Sequence, residues 1–193
     1  MEQFVNLHVH TAVGSLLDSI LTVPEMVEFA AQNHQPAIAV TDHGKMSSFV
    51  DVVKACNKKN IKPIIGCEVY EVDDQTFKND TKDYKQPRYH LVLLAKNHQG
   101  LLNLFKIVSN ACIDGMYKKP RTSLDIIEQN NWGKGIICLT ACQVGRLSTL
   151  LVAGEKEQAK VAYKRFEAIF DSVFVEIQSH NTPSQAEANV AIA

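Results

Sequence analysis

Two histidines stand one residue apart near the start of the chain, in the run Leu7-His8-Val9-His10-Thr11. Side chains on a β-strand alternate with a period of two, so both imidazoles would face the same side of a strand. Imidazole is a common ligand for transition metals, and two rings aimed at one point can begin a metal site. The pair alone also occurs by chance, so the interpretation depends on further ligands elsewhere in the chain.

Later parts of the sequence supply such residues at regular intervals. An imidazole, a carboxylate or a thiol lies beside almost every strand-like run: Asp18, Asp42, His43, Glu68, His90 and Cys142. In α/β barrels, functional residues gather at the strand ends on one face, so these groups are expected to converge. His90 fits this rule least well, because it lies near the beginning of its predicted strand.

The mixture of nitrogen, oxygen and sulfur ligands suits zinc, manganese or iron better than calcium or magnesium alone. Seven or more ligands are too many for one tetrahedral ion, so we expect two or three divalent ions. One ion of such a cluster lowers the pKa of a bound water, and a second stabilises the leaving oxygen of a phosphoester. Glu68 and Asp18 are candidates to bridge the ions. The pattern therefore predicts metal-dependent phosphoester hydrolysis.

Several of these residues also have a purely structural interpretation. Asp42 could cap the next helix or form an Asx turn, and Cys142 could be a small buried core residue. His180 follows the last predicted strand, where a site residue can lie, but its neighbours also form a polar turn. Arg121 could bind a phosphate. We therefore treat Asp42, His180 and Arg121 as possible site residues only.

The elements that would position these residues alternate along the chain. Strands are predicted at about 5–10, 37–41, 62–72, 89–95, 135–140 and 172–178, and helices at about 24–33, 48–57, 98–110, 124–130, 155–170 and from 183 onwards. The polar stretch 73–88 is predicted to be a surface loop. This alternation favours a parallel sheet with helices outside it. No glycine-rich phosphate loop follows the first strand, which favours a closed barrel over an open nucleotide-binding sheet.

Composition and charge narrow the class of protein. The chain has 193 residues, of which 46% are hydrophobic and 21% charged, as in a single globular domain. The formal net charge of −1 argues against a free-standing nucleic-acid-binding module, but not against a domain inside a larger nucleic-acid enzyme. No apolar run approaches membrane-spanning length and no signal peptide is found, so we expect a cytoplasmic protein with no membrane partner. The five cysteines lack CxxC spacing and are expected to be reduced.

Four short motifs, in order, resemble those of the PHP (polymerase and histidinol phosphatase) superfamily. They are His8-Val9-His10, Thr41-Asp42-His43-Gly44, Gly66-Cys67-Glu68 and Tyr89-His90-Leu91. Residues 62–70 and 89–97, together with Lys119-Pro120-Arg121, more closely resemble the N-terminal PHP domains of bacterial DNA polymerase III alpha subunits. The resemblance extends over essentially the whole chain.

This resemblance implies a distorted (β/α)7 barrel that holds a metal cluster, often of zinc or manganese. It places seven residues at ligand positions: His8, His10, Asp18, His43, Glu68, His90 and Cys142. Aspartate and cysteine at positions 18 and 142 are typical of the polymerase branch, whereas free-standing phosphatases generally have histidine at both.

The chain also departs from the family pattern. Residues 11–15 form a segment one residue longer than the commonest polymerase form, and Ser19 stands where glycine is usual, which bears on the reach of Asp18. The last family motif, Asp-x-His on the final strand, is not found before Ala193. We therefore expect residues 1–193 to be the front part of a longer polymerase chain, with a barrel that lacks about one strand and a site that lacks about two ligands.

Three functions are compatible with this resemblance. The domain could be a metal-dependent phosphoesterase that acts on a DNA 3′ end, as a 3′–5′ proofreading exonuclease. It could instead be a scaffold that stabilises the polymerase and docks a separate proofreading exonuclease subunit, or a stand-alone phosphatase such as histidinol-phosphatase. The seven retained ligands favour the first function over the second, and Asp18 and Cys142 disfavour the third. Expected partners are DNA, through the full-length polymerase, and other replicase subunits, including the sliding clamp. Nucleotide polymerisation itself would reside further downstream.

Overall fold

The computed structural model describes residues 4–81 and 84–193, which form a mixed α/β fold. The strands are β1 (Ala37–Val40), β2 (Lys62–Val72), β3 (Tyr89–Ala95), β4 (Met116–Tyr117), β5 (Lys119–Ser123), β6 (Ile136–Leu139) and β7 (Ser172–Phe174). The helices are α1 (Val23–Gln32), α2 (Phe49–Lys59), α3 (His98–Ile113), α4 (Leu124–Gln129), α5 (Arg146–Val152), α6 (Lys156–Ile169) and α7 (Pro183–Ile192). Within these described ranges, no helix has the length and apolarity needed to cross a membrane.

The sheet is mixed, with the strand order β4-β5-β2-β3-β6-β7 and with β1 beside β2. β2 pairs in parallel with β1 along its first half and with β5 near its end. β3 runs antiparallel to both β2 and β6. The predicted all-parallel sheet is therefore wrong at β3. The described residues between β2 and β3 form no crossover helix, and the chain returns beside β2 in the opposite direction.

Alternation along the central strands separates two apolar layers. On β3, Leu91 and Leu93 belong to the large core that contacts the helices, whereas Val92 and Leu94 face the other side of the sheet. The smaller inner cluster consists of Ala39, Val92, Leu94, Leu139 and Ala141. Because side chains alternate with a period of two, His90 belongs to this inner face. The inner face therefore carries an apolar floor with ionisable residues beside it.

Residues 5–10 lie beside β1 but form no regular strand, so the strand predicted there is wrong. The backbone N–H of Ala39 donates to the carbonyl of Asn6, and that of Thr41 donates to the carbonyl of Val9, both at 2.8 Å. The two acceptors are three residues apart and the two donors are two residues apart, so the spacing is not that of a regular ladder.

Several predicted elements have different bounds in the structure, and others were missed. The strand predicted at 172–178 is regular only over β7, residues 172–174. The predicted helix cap at Thr182 is confirmed, since its side chain accepts a hydrogen bond from the Gln185 amide at the start of α7. The sequence analysis missed β4, β5 and α5. β5 carries proline and arginine instead of an apolar run, and its pairing with β2 stabilises it in place of local propensity.

The N-terminal segment lies beside β1, and residues 175–180 follow β7. They meet where His8 Nδ1 lies 2.7 Å from Glu176 Oε1. Beside this contact, a cavity of about 850 Å³ extends between residues 4–8 and 174–180. That one further strand closes the barrel stays a prediction.

A buried ion pair joins α5 to β2. Arg146 donates to both carboxylate oxygens of Glu71, at 2.6 and 2.9 Å, and to Asp73 Oδ1 at 2.7 Å. Its guanidinium also lies 4.2 Å from the centre of the Tyr89 ring. Burial raises the pKa of Glu71 above its ordinary value, while the Arg146 charge opposes that rise. The pair holds the start of α5 against the sheet.

Replacing Arg146 with alanine should strongly destabilise the fold. The Arg146→Ala change leaves the Glu71 carboxylate buried without a cation, which costs about 3–5 kcal/mol of unfolding free energy. Urea unfolding followed by circular dichroism measures the loss. As a control, Lys160→Ala removes an exposed pair with Glu157 and should change stability by no more than about 0.5 kcal/mol. Equal stability of the two variants would contradict the prediction.

Candidate metal centre

The carboxylate of Glu68 lies among four imidazoles, and its side chain is only 1% exposed. Its Oε1 lies 3.3 Å from His8 Nε2 and 3.0 Å from His90 Nδ1. Its Oε2 lies 3.2 Å from His10 Nε2 and 2.9 Å from His43 Nδ1. Each carboxylate oxygen therefore faces two rings.

Strand register sets the position of His43 opposite Glu68. β1 and β2 pair in parallel from Ala37 opposite Lys62, and His43 is bridged to Glu68 at the same offset along the chain. The Gly44 amide donates to the Glu68 carbonyl at 2.8 Å, which fixes the turn after β1 against β2. A shift of register by one residue would move Glu68 to the opposite face of the sheet.

The antiparallel direction of β3 explains why His90 belongs to the site. His90 lies opposite Tyr70, near the end of β2, because β3 begins where β2 ends. The rule that site residues lie at strand ends applies to parallel strands, and its reversal for β3 places a residue from the beginning of that strand in the site. His90 did not fit the strand-end rule because β3 was predicted to be parallel to its neighbours, whereas it is antiparallel.

A strained turn between β6 and α5 presents Cys142. Its Sγ lies 3.7 Å from His90 Nδ1. Ala141 has a φ of +61°, in the left-handed region that residues with a Cβ rarely adopt. The Gly145 amide donates to the Cys142 carbonyl at 2.8 Å, and a Cβ at this glycine would lie 2.2 Å from the Thr140 oxygen. The tight turn holds the thiol beside the imidazoles.

Asp18 lies at the exposed rim of the cluster. Its side chain is 54% exposed, and its Oδ2 lies 3.5 Å from His43 Nε2. The longer loop and Ser19 therefore do not prevent Asp18 from reaching the cluster. All seven residues predicted as ligands meet in one region of the structure.

Asp42, by contrast, supports the loop instead of facing the imidazoles. Its buried carboxylate accepts hydrogen bonds from the Thr11 amide at 2.6 Å, from the Ser15 hydroxyl at 3.2 Å, and from the Ser48 hydroxyl just before α2. A Cβ at Gly14 would lie 2.3 Å from this carboxylate, so the loop approaches it closely. These contacts favour the structural interpretation of Asp42.

Arg121 is also structural in its contacts. It is 1% exposed, and its three guanidinium nitrogens donate to the carbonyls of Gly115, Phe77 and Gln75 at 3.1, 2.7 and 2.9 Å. Burial and these three backbone acceptors favour a structural role for Arg121 over the phosphate-binding role considered for it. Arg121 instead holds the irregular segment after β2 against β5.

His180 is exposed and lines the cavity of about 370 Å³ into which the cluster opens. The structure thus brings it near the predicted ligands. The other lining residues are His8, His10, His43, Glu68, His90, Cys142, Gln143, Gln178, Thr182 and Gln185.

The sequence analysis missed two further groups beside the site. Glu176 contacts His8, and the ring of Tyr70 stacks 5.7 Å from that of His43, with the Lys119 ammonium 5.3 Å from the Tyr70 ring centre. Burial raises the pKa of Tyr70, and Lys119 opposes that rise. A period of two through the last predicted strand would have placed Glu176 on the face opposite its valines.

The charges of the cluster depend on one another. Burial alone would raise the pKa of Glu68, but the four imidazoles outweigh it and hold this pKa well below the ordinary value. Burial would lower the pKa of His8, but Glu176 and Glu68 outweigh it and raise this pKa to about 10. The pKa of His90 is likewise raised to about 9 against burial, by Cys142 and Glu68.

The donor atoms fit a divalent metal ion. Both Glu68 oxygens and His43 Nδ1 are buried and form no hydrogen bond of acceptable geometry with the described residues. His43 Nδ1 nevertheless lies only 2.9 Å from Glu68 Oε2. His8, His10 and Glu68 form one group of ligand atoms within 4.8 Å of one another, and His43, Glu68 and His90 form a second. Glu68 is shared by both groups, so its carboxylate would be available to more than one ion of a metal cluster.

A curved mixed sheet with a histidine-rich centre around a shared glutamate defines the class of domain. The family model described as the PHP domain matches residues 6–180, and the chain belongs to this family. It is 39% identical over 179 residues to the DNA polymerase III subunit alpha of Treponema pallidum, covering 92% of this chain and 15% of that protein. The corresponding subunit of Aquifex aeolicus is 36% identical over 194 residues, covering 97% of this chain and 16% of that protein. These findings confirm the predicted family.

A solved structure also shares the fold. It is a "putative metal-dependent phosphoesterase" from Bifidobacterium adolescentis, with a TM-score of 0.51 and 15% identity, covering 98% of this chain and 82% of that one. The chain therefore spans most of the length of this structural neighbour, but only about 15% of the length of its polymerase relatives.

Binding of a divalent ion should release protons. The raised pKa values of His8 and His90 keep both rings protonated in the metal-free protein near neutral pH, and a ligand nitrogen must lose its proton. Apparent Zn²⁺ affinity should therefore increase as the pH rises from about 6 towards 8. Calorimetry at one pH in buffers of different ionisation enthalpy measures the released protons. A binding enthalpy that is independent of the buffer would contradict this prediction.

Proposed function

We propose that this chain is the PHP domain of a bacterial DNA polymerase III alpha subunit and that its metal centre is a phosphoesterase site. The shared position of the buried Glu68 between two groups of imidazoles is the observation that carries the second part. The 92–97% coverage of this chain by two polymerase relatives supports the first. Within this proposal, the parent protein is a DNA-directed DNA polymerase that acts in the cytoplasm, with DNA and the other replicase subunits as partners.

The proposed ligands are those in which the geometry and the sequence pattern agree. They are His8, His10, Asp18, His43, Glu68, His90 and Cys142, with His180 as a further candidate. Two or three ions of zinc, manganese or iron suit this mixture of nitrogen, oxygen and sulfur donors. Such ions, when bound, polarise a phosphoryl oxygen and activate water for hydrolysis.

The residues of the chain would provide orientation and charge. Each Glu68 oxygen faces one imidazole from each of the two groups, so this carboxylate joins the two halves of the cluster. Asp18, at 54% exposure, is more accessible from solvent than Glu68. Lys119 lies exposed beside Tyr70, at the edge of the cluster, where an ammonium is suited to contact a substrate phosphate. The lysine of the Lys119-Pro120-Arg121 motif, and not its arginine, is therefore the proposed phosphate contact.

The proposed substrate is the 3′ end of DNA, which makes the domain a candidate 3′–5′ proofreading exonuclease. The cavity of about 370 Å³ beside the cluster is compatible with a strand end entering from solvent. Hydrolysis of the terminal phosphodiester would release one nucleotide at a time.

A scaffold role in the polymerase is the second candidate function. It is favoured by the loop that carries Asp18, in which Leu16, Leu17 and Ile20 are 75%, 90% and 94% exposed. Exposed apolar side chains that are adjacent in a loop are typical of contact surfaces. Such a surface would dock another part of the polymerase or a separate proofreading subunit.

Substitution of His10 separates the two candidate functions. In the full-length polymerase, His10→Ala should lower 3′-exonuclease activity by about 100-fold or more, since ligands of metal centres contribute on this scale. The activity is measured on a 3′-labelled oligonucleotide, with bound metal measured by mass spectrometry. His98→Ala, at an exposed histidine in α3, is the matched control. Unchanged exonuclease activity in His10→Ala, or absence of metal from the wild-type protein, would leave the scaffold role as the better account.

Substitution of Lys119 should affect substrate binding more than metal binding. Lys119→Ala removes the proposed phosphate contact and should raise KM for a short oligonucleotide by about 5- to 20-fold, in keeping with one charge-assisted hydrogen bond. The neighbouring Lys118→Ala is the control for loss of charge. A reduced metal content in Lys119→Ala, or equal KM values for the two variants, would contradict the assignment.

A further inference from the structure

Glu176 contacts His8 on the side of the imidazole ring that faces away from Glu68. It follows β7 on the inner side of the sheet, and its Oε1 lies 2.7 Å from His8 Nδ1, a contact between residues 168 positions apart. The other ring nitrogen of His8, Nε2, faces Glu68 at 3.3 Å. His8 is therefore held between two carboxylates, one on each side of its ring.

The backbone holds Glu176 in this position from both directions. The amide of Glu176 donates to the Thr140 hydroxyl at 3.0 Å, and the Thr140 amide donates to the Phe174 carbonyl at 3.2 Å. Two residues further on, the Gln178 carbonyl accepts from the Asn189 side chain of α7 at 2.7 Å. The segment after β7 is thus tied both to β6 and to α7, although it is not itself a regular strand.

The acceptor of the His8 Nδ1 proton is the Glu176 carboxylate. The amide nitrogen of Gln178 also lies near His8 Nδ1, at 3.1 Å, but it donates to Glu176 Oε1 at 2.6 Å. An amide nitrogen accepts no hydrogen bond. His8 and Gln178 therefore donate to the same carboxylate oxygen, which is only partly accessible because the Glu176 side chain is 13% exposed.

This arrangement determines which nitrogen of His8 is available to an ion. A neutral imidazole carries one proton, and the hydrogen bond made by one nitrogen decides the tautomer. A carboxylate at Nδ1 keeps the proton there and leaves the Nε2 lone pair directed at Glu68. A carboxylate behind a ligand histidine also increases the basicity of the ligand nitrogen.

We propose that Glu176 is a positioning residue of the metal centre, which holds His8 in the Nδ1–H tautomer and directs its Nε2 towards the ion. The assignment rests on the proposed function in one respect, namely that an ion binds at the cluster. Glu176 also ties the N-terminal segment to the residues that follow β7, through the same contact that orients His8.

Two substitutions at position 176 test the role, with Zn²⁺ as the probe. Glu176→Ala removes the acceptor and should weaken Zn²⁺ binding by about 10- to 100-fold, the range found for residues that support ligand histidines. Glu176→Gln retains a neutral acceptor at the same place and should recover most of that loss. Affinity is measured by competition with a chromophoric chelator. Glu157→Ala, at an exposed glutamate of α6, should bind as the wild type does.

The tautomer of His8 provides a readout that is independent of activity. Long-range ¹H–¹⁵N spectra of the Zn²⁺-loaded protein should show a protonated Nδ1 and a metal-bound Nε2 in the wild type and in Glu176→Gln. Both signatures should weaken in Glu176→Ala, while circular dichroism shows that the variant remains folded.

The outcomes distinguish this assignment from the proposed function. If the wild type binds no Zn²⁺, the proposed metal centre fails, and the positioning role fails with it. If the wild type binds Zn²⁺ and Glu176→Ala binds equally well with an unchanged His8 spectrum, only the positioning role is overturned. If Glu176→Gln loses as much affinity as Glu176→Ala, Glu176 is a ligand of the ion and the assignment is likewise overturned.

Discussion

The burial of one carboxylate among four imidazoles is the constraint on which the rest of this structure depends. Removing a charged carboxylate from water costs several kcal/mol unless opposite charge and hydrogen-bonding groups surround it. Glu68 meets this requirement through rings from three other parts of the chain: the N-terminal segment, the turn after β1 and the beginning of β3. These parts must therefore meet at one point, and the pairing of β1, β2 and β3 brings them there.

A layer of polar contacts behind the cluster keeps its loops in place. The Asp42 carboxylate gathers the hydroxyls and amide of the loop that carries Asp18. On the other side, the Arg146–Glu71 pair holds α5, which begins directly after the turn that presents Cys142. Asp18 and Cys142 both lie on irregular segments, and these buried side-chain contacts hold the segments in addition to their backbone hydrogen bonds.

The inner face of the sheet divides into two environments. Alternation along β3 and β6 places small and branched apolar residues at one part of this face, and the ionisable cluster lies beside them. Val92 of the apolar part pairs directly with Glu68, and the burial of Glu68 strengthens the interaction of its charge with the imidazoles. The remaining side of the cluster opens into the cavity lined by His180.

The sequence by itself determined the residue types at the site and the order in which they occur. The histidine pair, the polar residues beside successive apolar runs and the four family motifs were sufficient to predict Glu68 and the six other residues that meet in this region. The four motifs were also sufficient to predict the family. Most helix positions were predictable because capping residues such as Thr22, Asn97 and Ser123 are local signals in the sequence.

Only the tertiary structure decided the direction of β3, the roles of Asp42 and Arg121, and the presence of Glu176 behind His8. Each of these features depends on contacts between residues far apart in the chain. The periodicity of apolar residues predicts helices and strands, but not which distant residue a side chain contacts. Arg121 is an example. An arginine suggested phosphate binding, but in the structure its guanidinium donates to three backbone carbonyls. His90 was predicted as a site residue although it lies at the beginning of its strand. It reaches the site because β3 runs antiparallel to β2.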